Sequence, residues 1–170
     1  MRRAMSAGSR VGNVARRSAL DNRTTVRRLH GIEYRMFEDS DDIHDFINTE
    51  IRRELETDRA SMIENPRQDD LINSLPKRKW KVEVVTLAEI QLNPVILNSS
   101  DVKTGQKFVE RLRERRFELR KALEVGEAAI WPIVLLREEQ LLVDGYCRHS
   151  TLKEMSIPEA YGYVGRILGR

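Results

Sequence analysis

Two hydrophobic periods run along the chain, strict alternation and a three-to-four-residue spacing, and they predict different elements. Trp80, Val82 and Val84 alternate with lysine and glutamate, which predicts a strand over residues 80–85 with one buried face. Shorter apolar runs predict three further strands, at residues 131–136, 140–143 and 160–164. The predicted strands therefore all lie beyond residue 79.

The three-to-four-residue spacing predicts two longer helices. The first covers residues 40–58, with Asp39 or Ser40 as its cap and an apolar face made of Ile43, Phe46, Ile47, Ile51 and Leu55. Because this helix must bury its apolar face, it lies either on the C-terminal domain or on a second copy of the chain, as in a homodimer. The second helix covers residues 106–125 and stops at Gly126. Its polar side is either a solvated, ion-paired face or a basic surface for nucleic acid.

The stretch Asp144-Gly145-Tyr146-Cys147-Arg148 joins the third predicted strand to a short helical pattern. A strand that turns directly into a helix presents the unpaired N–H groups of that helix at the turn, where the positive end of the helix dipole favours an anion. Arg148 adds a forked cation in the first turn. We therefore predict that this corner holds a phosphate-bearing ligand. The alternative is an ordinary strand–helix corner with Gly145 at the bend.

Composition bounds the class of protein. The chain has 170 residues, of which 40% are hydrophobic and 34% are charged, and this fits one soluble globular domain with an extension. No run approaches the roughly 20 apolar residues of a membrane span, so we expect a cytoplasmic protein without a membrane partner. Cys147 is the sole cysteine, which excludes an intrachain disulfide and favours a reducing compartment.

The charges are strongly segregated along the chain. Residues 1–30 hold eight arginines and one acid, whereas residues 31–70 hold thirteen acids and five arginines. The first thirty residues have few large apolar side chains, so we predict a flexible arm. That arm is a solvated tail, a nucleic-acid-binding arm or an organellar transit peptide. Residues 31–79 are predicted to be a helical extension and linker, which ends in the solvated run Lys77-Arg78-Lys79.

The order of these elements and motifs resembles the ParB/sulfiredoxin-like superfamily over about residues 80–168. The matching residues are the run 85–90, Asn93-Pro94, Gly126, Pro132-Ile133-Val134, Asp144-Gly145-Tyr146-Cys147-Arg148 and Ile157-Pro158. The resemblance implies an α+β fold over residues 80–170, a small mixed sheet with flanking helices, preceded by the helical extension. Members of the superfamily differ widely in activity, so the implied fold is more specific than the implied function.

In this superfamily the Gly-x-x-Arg turn binds nucleotide phosphates, and the roles carry over by position. Gly145 would let the backbone approach the phosphate, and Arg148 would pair with it. The remaining contacts would come from Tyr146, Cys147, His149 and Ser150 at the start of the helix, and from Lys107 at the start of the preceding helix, with Lys103 as the second choice. The implied ligand is a nucleoside di- or triphosphate, such as ATP, ADP or CTP.

The Asp-Gly-x-x-Arg form resembles the branch that includes free-serine kinases, whereas partition clamps carry Gly-Glu-Arg-Arg. Asp144 would hold Mg²⁺ or act as a general base, or else it would simply cap the helix. His149 would donate to a phosphate or to the leaving group. We therefore predict a nucleotide-dependent phosphotransferase on a small molecule, with Asp144 and His149 as catalytic residues. The acid that the kinases carry after the proline turn has no counterpart after Pro94.

Two other functions stay open. One is a nucleotide-gated, DNA-associated ParB-like protein that contacts nucleic acid through residues 1–30, because the sequence leaves no room for a helix-turn-helix module before Arg170. The other is a ParB-like nuclease, for which the sequence offers no convincing metal cluster. Sulfiredoxin chemistry is disfavoured, because Tyr146 stands where that family has its cysteine. The shifted Cys147 is therefore expected to be a packing residue.

Overall fold

The fold is α+β, as predicted, in a computed structural model that describes residues 14, 21–61, 66–126 and 128–168. The helices α1 to α6 are Ser40–Phe46, Arg52–Ser61, Pro66–Ser74, Pro94–Leu97, Phe108–Val125 and Tyr146–Glu154. The strands β1 to β7 are Thr24–Leu29, Ile32–Phe37, Arg78–Thr86, Ala129–Ile130, Ile133–Leu136, Leu141–Asp144 and Glu159–Ile167. The strands form a three-stranded sheet in the order β1-β2-β4 and a four-stranded sheet in the order β3-β7-β5-β6.

The four-stranded sheet is the predicted mixed sheet. β3 pairs antiparallel with β7, β7 runs parallel to β5, and β5 pairs antiparallel with β6. Trp80 in β3 lies opposite Gly165 in β7, and its fully buried indole ring occupies the space that a side chain at residue 165 would need. Close packing between β3 and β7 therefore depends on a glycine.

The predicted strand over residues 131–136 is shorter in the structure and begins only at Ile133, while residues 129–130 form a separate strand in the other sheet. β4 ends at Ile130 and pairs parallel with β2, whereas β5 begins at Ile133 and pairs with β6 and β7. Trp131 and Pro132 form the crossing and are both buried. Because proline has no N–H to give to a ladder, this dipeptide is a natural place to leave one sheet for the other.

A hairpin replaces the last part of the predicted arm. β1 and β2 pair antiparallel, and the turn between them consists of His30 and Gly31, both with positive φ, as a two-residue hairpin turn requires. The prediction of a flexible arm is therefore wrong for residues 24–29. Residues 1–13 and 15–20 of that arm lie outside the described residues, while Val14 forms a bridge with Ile130.

The arginines of this hairpin region are paired with acids. Arg23, Arg27 and Arg28 form ion pairs with Asp42, Glu38 and Glu33, respectively. The prediction that residues 1–30 contact nucleic acid is therefore not supported for these three arginines. The other five arginines of the arm lie outside the described residues.

The first predicted helix is present and lies on the chain's own sheet. Asp39 caps α1 by accepting hydrogen bonds from the N–H groups of Asp41 and Asp42. A π-helical turn, Ile47–Ile51, leads from α1 into α2, and the five predicted apolar residues of this helical run are all buried. Ser40 donates to the carbonyl oxygen of Trp80 over 2.7 Å, so α1 contacts β3.

The later helices begin close to their predicted positions. α5 starts two residues later than predicted and ends at Gly126, whose φ of 77° matches a left-handed helix stop. α6 starts at Tyr146, immediately after Gly145. Within the described residues, no helix has both the length and the apolar character that crossing a membrane requires.

Arg78 corrects the prediction of a solvated Lys77-Arg78-Lys79 linker. Its side chain is buried and donates to a carboxylate oxygen of Glu138 over 2.6 Å and to the carbonyl oxygen of Gly165 over 3.1 Å. Glu138 also accepts from the N–H of Ile167. Arg78 is therefore the first residue of β3 and a structural link to the β5–β6 turn.

Replacing Gly165 by alanine is expected to lower the free energy of unfolding by about 1–3 kcal/mol, as overpacking does in other cores. The added methyl group would lie 2.7 Å from the Trp80 ring. Urea denaturation measures the loss, and the same substitution in a Trp80→Leu background is the control. Equal losses in both backgrounds would contradict the steric explanation.

Candidate anion site at the start of α6

Helices α5 and α6 run side by side in the same direction. The ring of Phe108 meets that of Tyr146 edge to face with centroids 5.6 Å apart, the guanidinium of Arg116 donates to Ser150 over 2.9 Å, and that of Arg120 donates to Glu154 over 2.7 Å. The contacts therefore follow the same order along both helices, which makes the helices parallel. The two N-termini lie at the same end, so the positive ends of two helix dipoles converge there.

Neither of these two N-termini has a side-chain cap. The N-cap residue of α5 is Lys107 and that of α6 is Gly145, and neither position makes a side-chain hydrogen bond to the helix. In contrast, Asp39 and Asn93 cap α1 and α4 through their side chains. The dipoles of α5 and α6 therefore converge at two helix ends that lack side-chain caps.

Gly145 is required at the corner, but for a reason that the sequence did not indicate. Its φ is 100°, and a methyl group added to it would lie 2.9 Å from the side chain of Ile133 and 3.0 Å from Nη2 of Arg148. A left-handed backbone and a side chain packed against Cα both favour glycine. The predicted close approach is therefore made by the Arg148 guanidinium.

Arg148 does not face outward, which corrects its predicted pairing with a phosphate. Its side chain is 97% buried, since only 3% is exposed. Nη1 donates to the carbonyl oxygens of Trp131 and Pro132 over 3.0 and 3.1 Å, and Nη2 donates to Asp144 over 2.8 Å. Nε is buried and has no hydrogen-bond partner among the described residues. Arg148 therefore fastens the crossing between the two sheets to the start of α6.

Asp144 and His149, the predicted catalytic residues, are both engaged with protein groups. The Asp144 carboxylate is the counter-ion of Arg148. This role differs from its predicted role as a general base. His149 is buried, and its Nε2 lies 3.4 Å from the carbonyl oxygen of Leu87. Burial lowers the pKa of His149 below its ordinary value of 6.5. The imidazole is therefore neutral at pH 7, and it lies against the carbonyl group of Leu87.

The metal prediction rests on Asp144 alone. No group of three or more histidine, cysteine or acidic side chains is placed to hold a metal ion within the described residues. Magnesium that arrives with a nucleotide takes most of its ligands from phosphate and water. The Mg²⁺ prediction therefore stays a prediction.

Tyr146 ties three elements together at this corner. Its hydroxyl donates to the carbonyl oxygen of Leu142 over 3.2 Å and accepts from the N–H of Asn93 over 3.1 Å. Burial raises the pKa of Tyr146 to about 12, so the hydroxyl keeps its proton. This structural role differs from the predicted ligand contact of Tyr146, and its sequence signal is an aromatic residue with a polar tip directly after the glycine.

The remaining predicted residues divide into buried and exposed groups. Cys147 is buried with its sulfur 3.9 Å from the hydroxyl of Thr151, as expected for a packing residue. Ser150 is half-buried and accepts from Arg116, so it faces α5. Lys107 and Lys103 are both exposed. Of the predicted ligand residues, Lys107 therefore has the most freely available charge.

Replacing Arg148 by leucine is expected to lower the free energy of unfolding by about 3–5 kcal/mol, because it breaks a buried ion pair and leaves Asp144 and two carbonyl groups without their donor. Chemical denaturation measures the loss. Asp144→Asn is the matched control and should cost less, because Arg148 keeps both carbonyl acceptors. A loss below about 0.5 kcal/mol for the leucine variant, typical of a surface change, would contradict the structural role.

The buried His149 predicts a dependence of stability on pH. Its folded-state pKa lies below the unfolded value of 6.5, so below that pH the unfolded chain binds a proton that the folded chain resists. This contribution to stability is complete above about pH 6.5 and falls by up to about 1.4 kcal/mol per pH unit as the pH drops toward the folded-state pKa. Denaturation of the parent protein and of His149→Gln between pH 7.5 and 5 should show the steeper decline in the parent. Parallel curves of stability against pH for the two proteins would contradict this prediction.

Comparison with known proteins finds partial similarity to solved ParB N-domains. One structure of a pNOB8-like ParB N-domain is 19% identical and has a TM-score of 0.38, and it aligns over 52% of this chain and 30% of its own. A second is 20% identical with a TM-score of 0.37, and it aligns over 52% of this chain and 28% of its own. No protein-family profile and no curated protein matches the chain. This chain therefore spans less than a third of the length of each of those two chains.

Proposed function

We propose that this protein binds a nucleoside di- or triphosphate, with the phosphates at the shared N-terminal end of α5 and α6. The observation that carries the proposal is the parallel arrangement of two helix starts without side-chain caps, held together by the edge-to-face contact of Phe108 and Tyr146. The N–H of Phe108 donates to the carbonyl oxygen of Ser99, so the proposal rests on the converging helix dipoles and on the start of α6, which favour an anion there.

Lys107 supplies the mobile cation in this proposal. It is the N-cap residue of α5 and is exposed, so its ammonium group can reach an anion that lies over the helix start. Lys103 is four residues earlier in a loop that is closed by the Asp101 carboxylate, which accepts from the N–H groups of Lys103 and Thr104. Lys103 is therefore a second exposed lysine near Lys107 in sequence, and it lies on a turn with defined hydrogen bonds.

Arg148 contributes indirectly to this site. Its guanidinium neutralises Asp144 at 2.8 Å, and without that pairing a free carboxylate directly before α6 would repel a phosphate. The buried cation therefore favours anion binding because it neutralises the charge of Asp144. Its Nη atoms keep their hydrogen bonds to protein acceptors. This differs from the direct pairing that the motif suggests.

Binding, rather than phosphoryl transfer, is the function that the geometry supports. A general base must have its acceptor atom within reach of the substrate. The carboxylate of Asp144 is committed to Arg148, and the imidazole of His149 is buried against Leu87. We therefore propose a nucleotide-binding protein and do not extend the proposal to a kinase.

A thermal-shift screen with ATP, ADP and CTP, each with and without Mg²⁺, tests the proposal. A ligand that binds only the folded state raises the melting temperature, and at 100 times its dissociation constant it stabilises by about 2.7 kcal/mol. Lys107→Ala is expected to lose about 1.5–3 kcal/mol of binding free energy, as for a hydrogen bond to a charged group. Calorimetric titration measures this loss.

Lys121→Ala is the matched control, because Lys121 is an exposed lysine of the same helix about 21 Å further along its axis. It should bind nucleotide as the parent protein does. No stabilisation by any of the three nucleotides, or equal losses in the two lysine variants, would overturn the proposed site.

A further inference from the structure

One end of the four-stranded sheet carries a row of cations on a single face. Lys79 in β3 lies directly opposite Arg166 in β7, and Arg137, which follows β5, donates its N–H to the carbonyl oxygen of Gly165. Because side chains alternate along a strand, Lys79 and Lys81 share a face of β3, and the register brings Arg166 and Arg137 to that face.

The packing of Gly162 confirms that these residues share one face. A methyl group added to Gly162 would meet the side chains of Leu135, Val85 and Ile133. Val85 lies four residues from Lys81, and Leu135 and Ile133 lie two and four residues before Arg137. Because side chains alternate, the same face is apolar at one end and cationic at the other. We call Lys79, Lys81, Arg137 and Arg166 the basic face.

A single acid lies within the basic face. Glu83 accepts hydrogen bonds from both terminal nitrogens of Arg166. The hydrogen bond from Arg166 lowers the pKa of Glu83, and the charges of Arg137 and Lys81 lower it further. Those cations are therefore close enough to act on the same carboxylate, and four positive charges face one negative charge.

The nearest acids of the β5–β6 turn are committed elsewhere. Glu138 and Glu139 form ion pairs with the buried Arg78. Like charges directly opposite each other on neighbouring strands are destabilising, so the Lys79–Arg166 pair carries a cost that Glu83 only partly offsets. An external polyanion would offset the remainder.

We propose that the basic face binds the phosphate backbone of a nucleic acid. Strands about 4.8 Å apart place its cations across roughly 10 Å of a flat surface, which suits a regular array of phosphates. The four side chains are all cationic, whereas the centres of protein interfaces are depleted of charge. Contacts of this kind position a duplex without reading its sequence. The site is separate from the proposed nucleotide site and does not depend on it.

The test is fluorescence anisotropy of the full chain with a labelled 20-base-pair duplex between 50 and 200 mM salt. A variant with Lys79→Ala, Lys81→Ala and Arg137→Ala removes three exposed cations from the basic face. The slope of log affinity against log salt should become shallower by about 2.7, because each lost phosphate contact contributes about 0.9.

The matched control carries Arg113→Ala, Arg115→Ala and Lys121→Ala, three exposed cations of α5 with the same total charge change. Its salt slope should equal that of the parent protein. Equal changes in the two triple variants would show a net-charge effect and overturn the proposal. So would a parent protein that binds neither DNA nor RNA, or one that binds only anionic vesicles or acidic proteins.

Discussion

The buried guanidinium of Arg148 is the interaction on which the described structure depends. The chain leaves the three-stranded sheet after β4 and enters the four-stranded sheet at β5, and Trp131 and Pro132 form the crossing. Arg148 donates to the carbonyl oxygens of both residues and to Asp144 at the end of β6. One side chain therefore joins the sheet crossing, the edge strand of the larger sheet and the start of α6. A buried guanidinium is stable only with such a set of acceptors, so the three segments are held in one relative position.

That constraint determines what the corner can do for a ligand. With Arg148 turned inward and Asp144 neutralised, the corner keeps the two helix dipoles, the exposed Lys107 and one exposed acid, Glu110 in the first turn of α5. The proposed site is accordingly an exposed surface, because Arg148 and His149 are buried and Asp144 is paired with Arg148. The two proposed binding sites lie on different kinds of structure: helix ends for the nucleotide and a sheet face for the nucleic acid.

Much of the fold could be predicted from sequence because burial leaves a periodic signal. The strands around Trp80 and Tyr163 and the helix around Ile47 bury large apolar side chains, and their patterns gave the elements within a few residues. β1 escaped prediction because its residues are mostly exposed, so no alternation marks it. The prediction of a helical extension from residue 31 is also wrong for β2, although its residues Ile32, Tyr34 and Met36 alternate and are buried. The hairpin depends instead on the antiparallel pairing of β1 with β2 and on the positive-φ turn at His30 and Gly31.

The role of Arg148 could not be predicted because its acceptors are backbone carbonyls, which no side-chain pattern reveals. The four-residue spacing of Asp144 and Arg148 was the available clue to an ion pair.

The most direct test of this account is NMR of the Arg148 guanidinium protons in the full chain, with and without saturating ADP or ATP. The account predicts slowly exchanging, hydrogen-bonded Nη protons whose signals persist when nucleotide is added, while the backbone amides at the start of α5 and α6 shift. Rapidly exchanging guanidinium protons in the free protein, or Nη signals that move onto a bound phosphate, would contradict it.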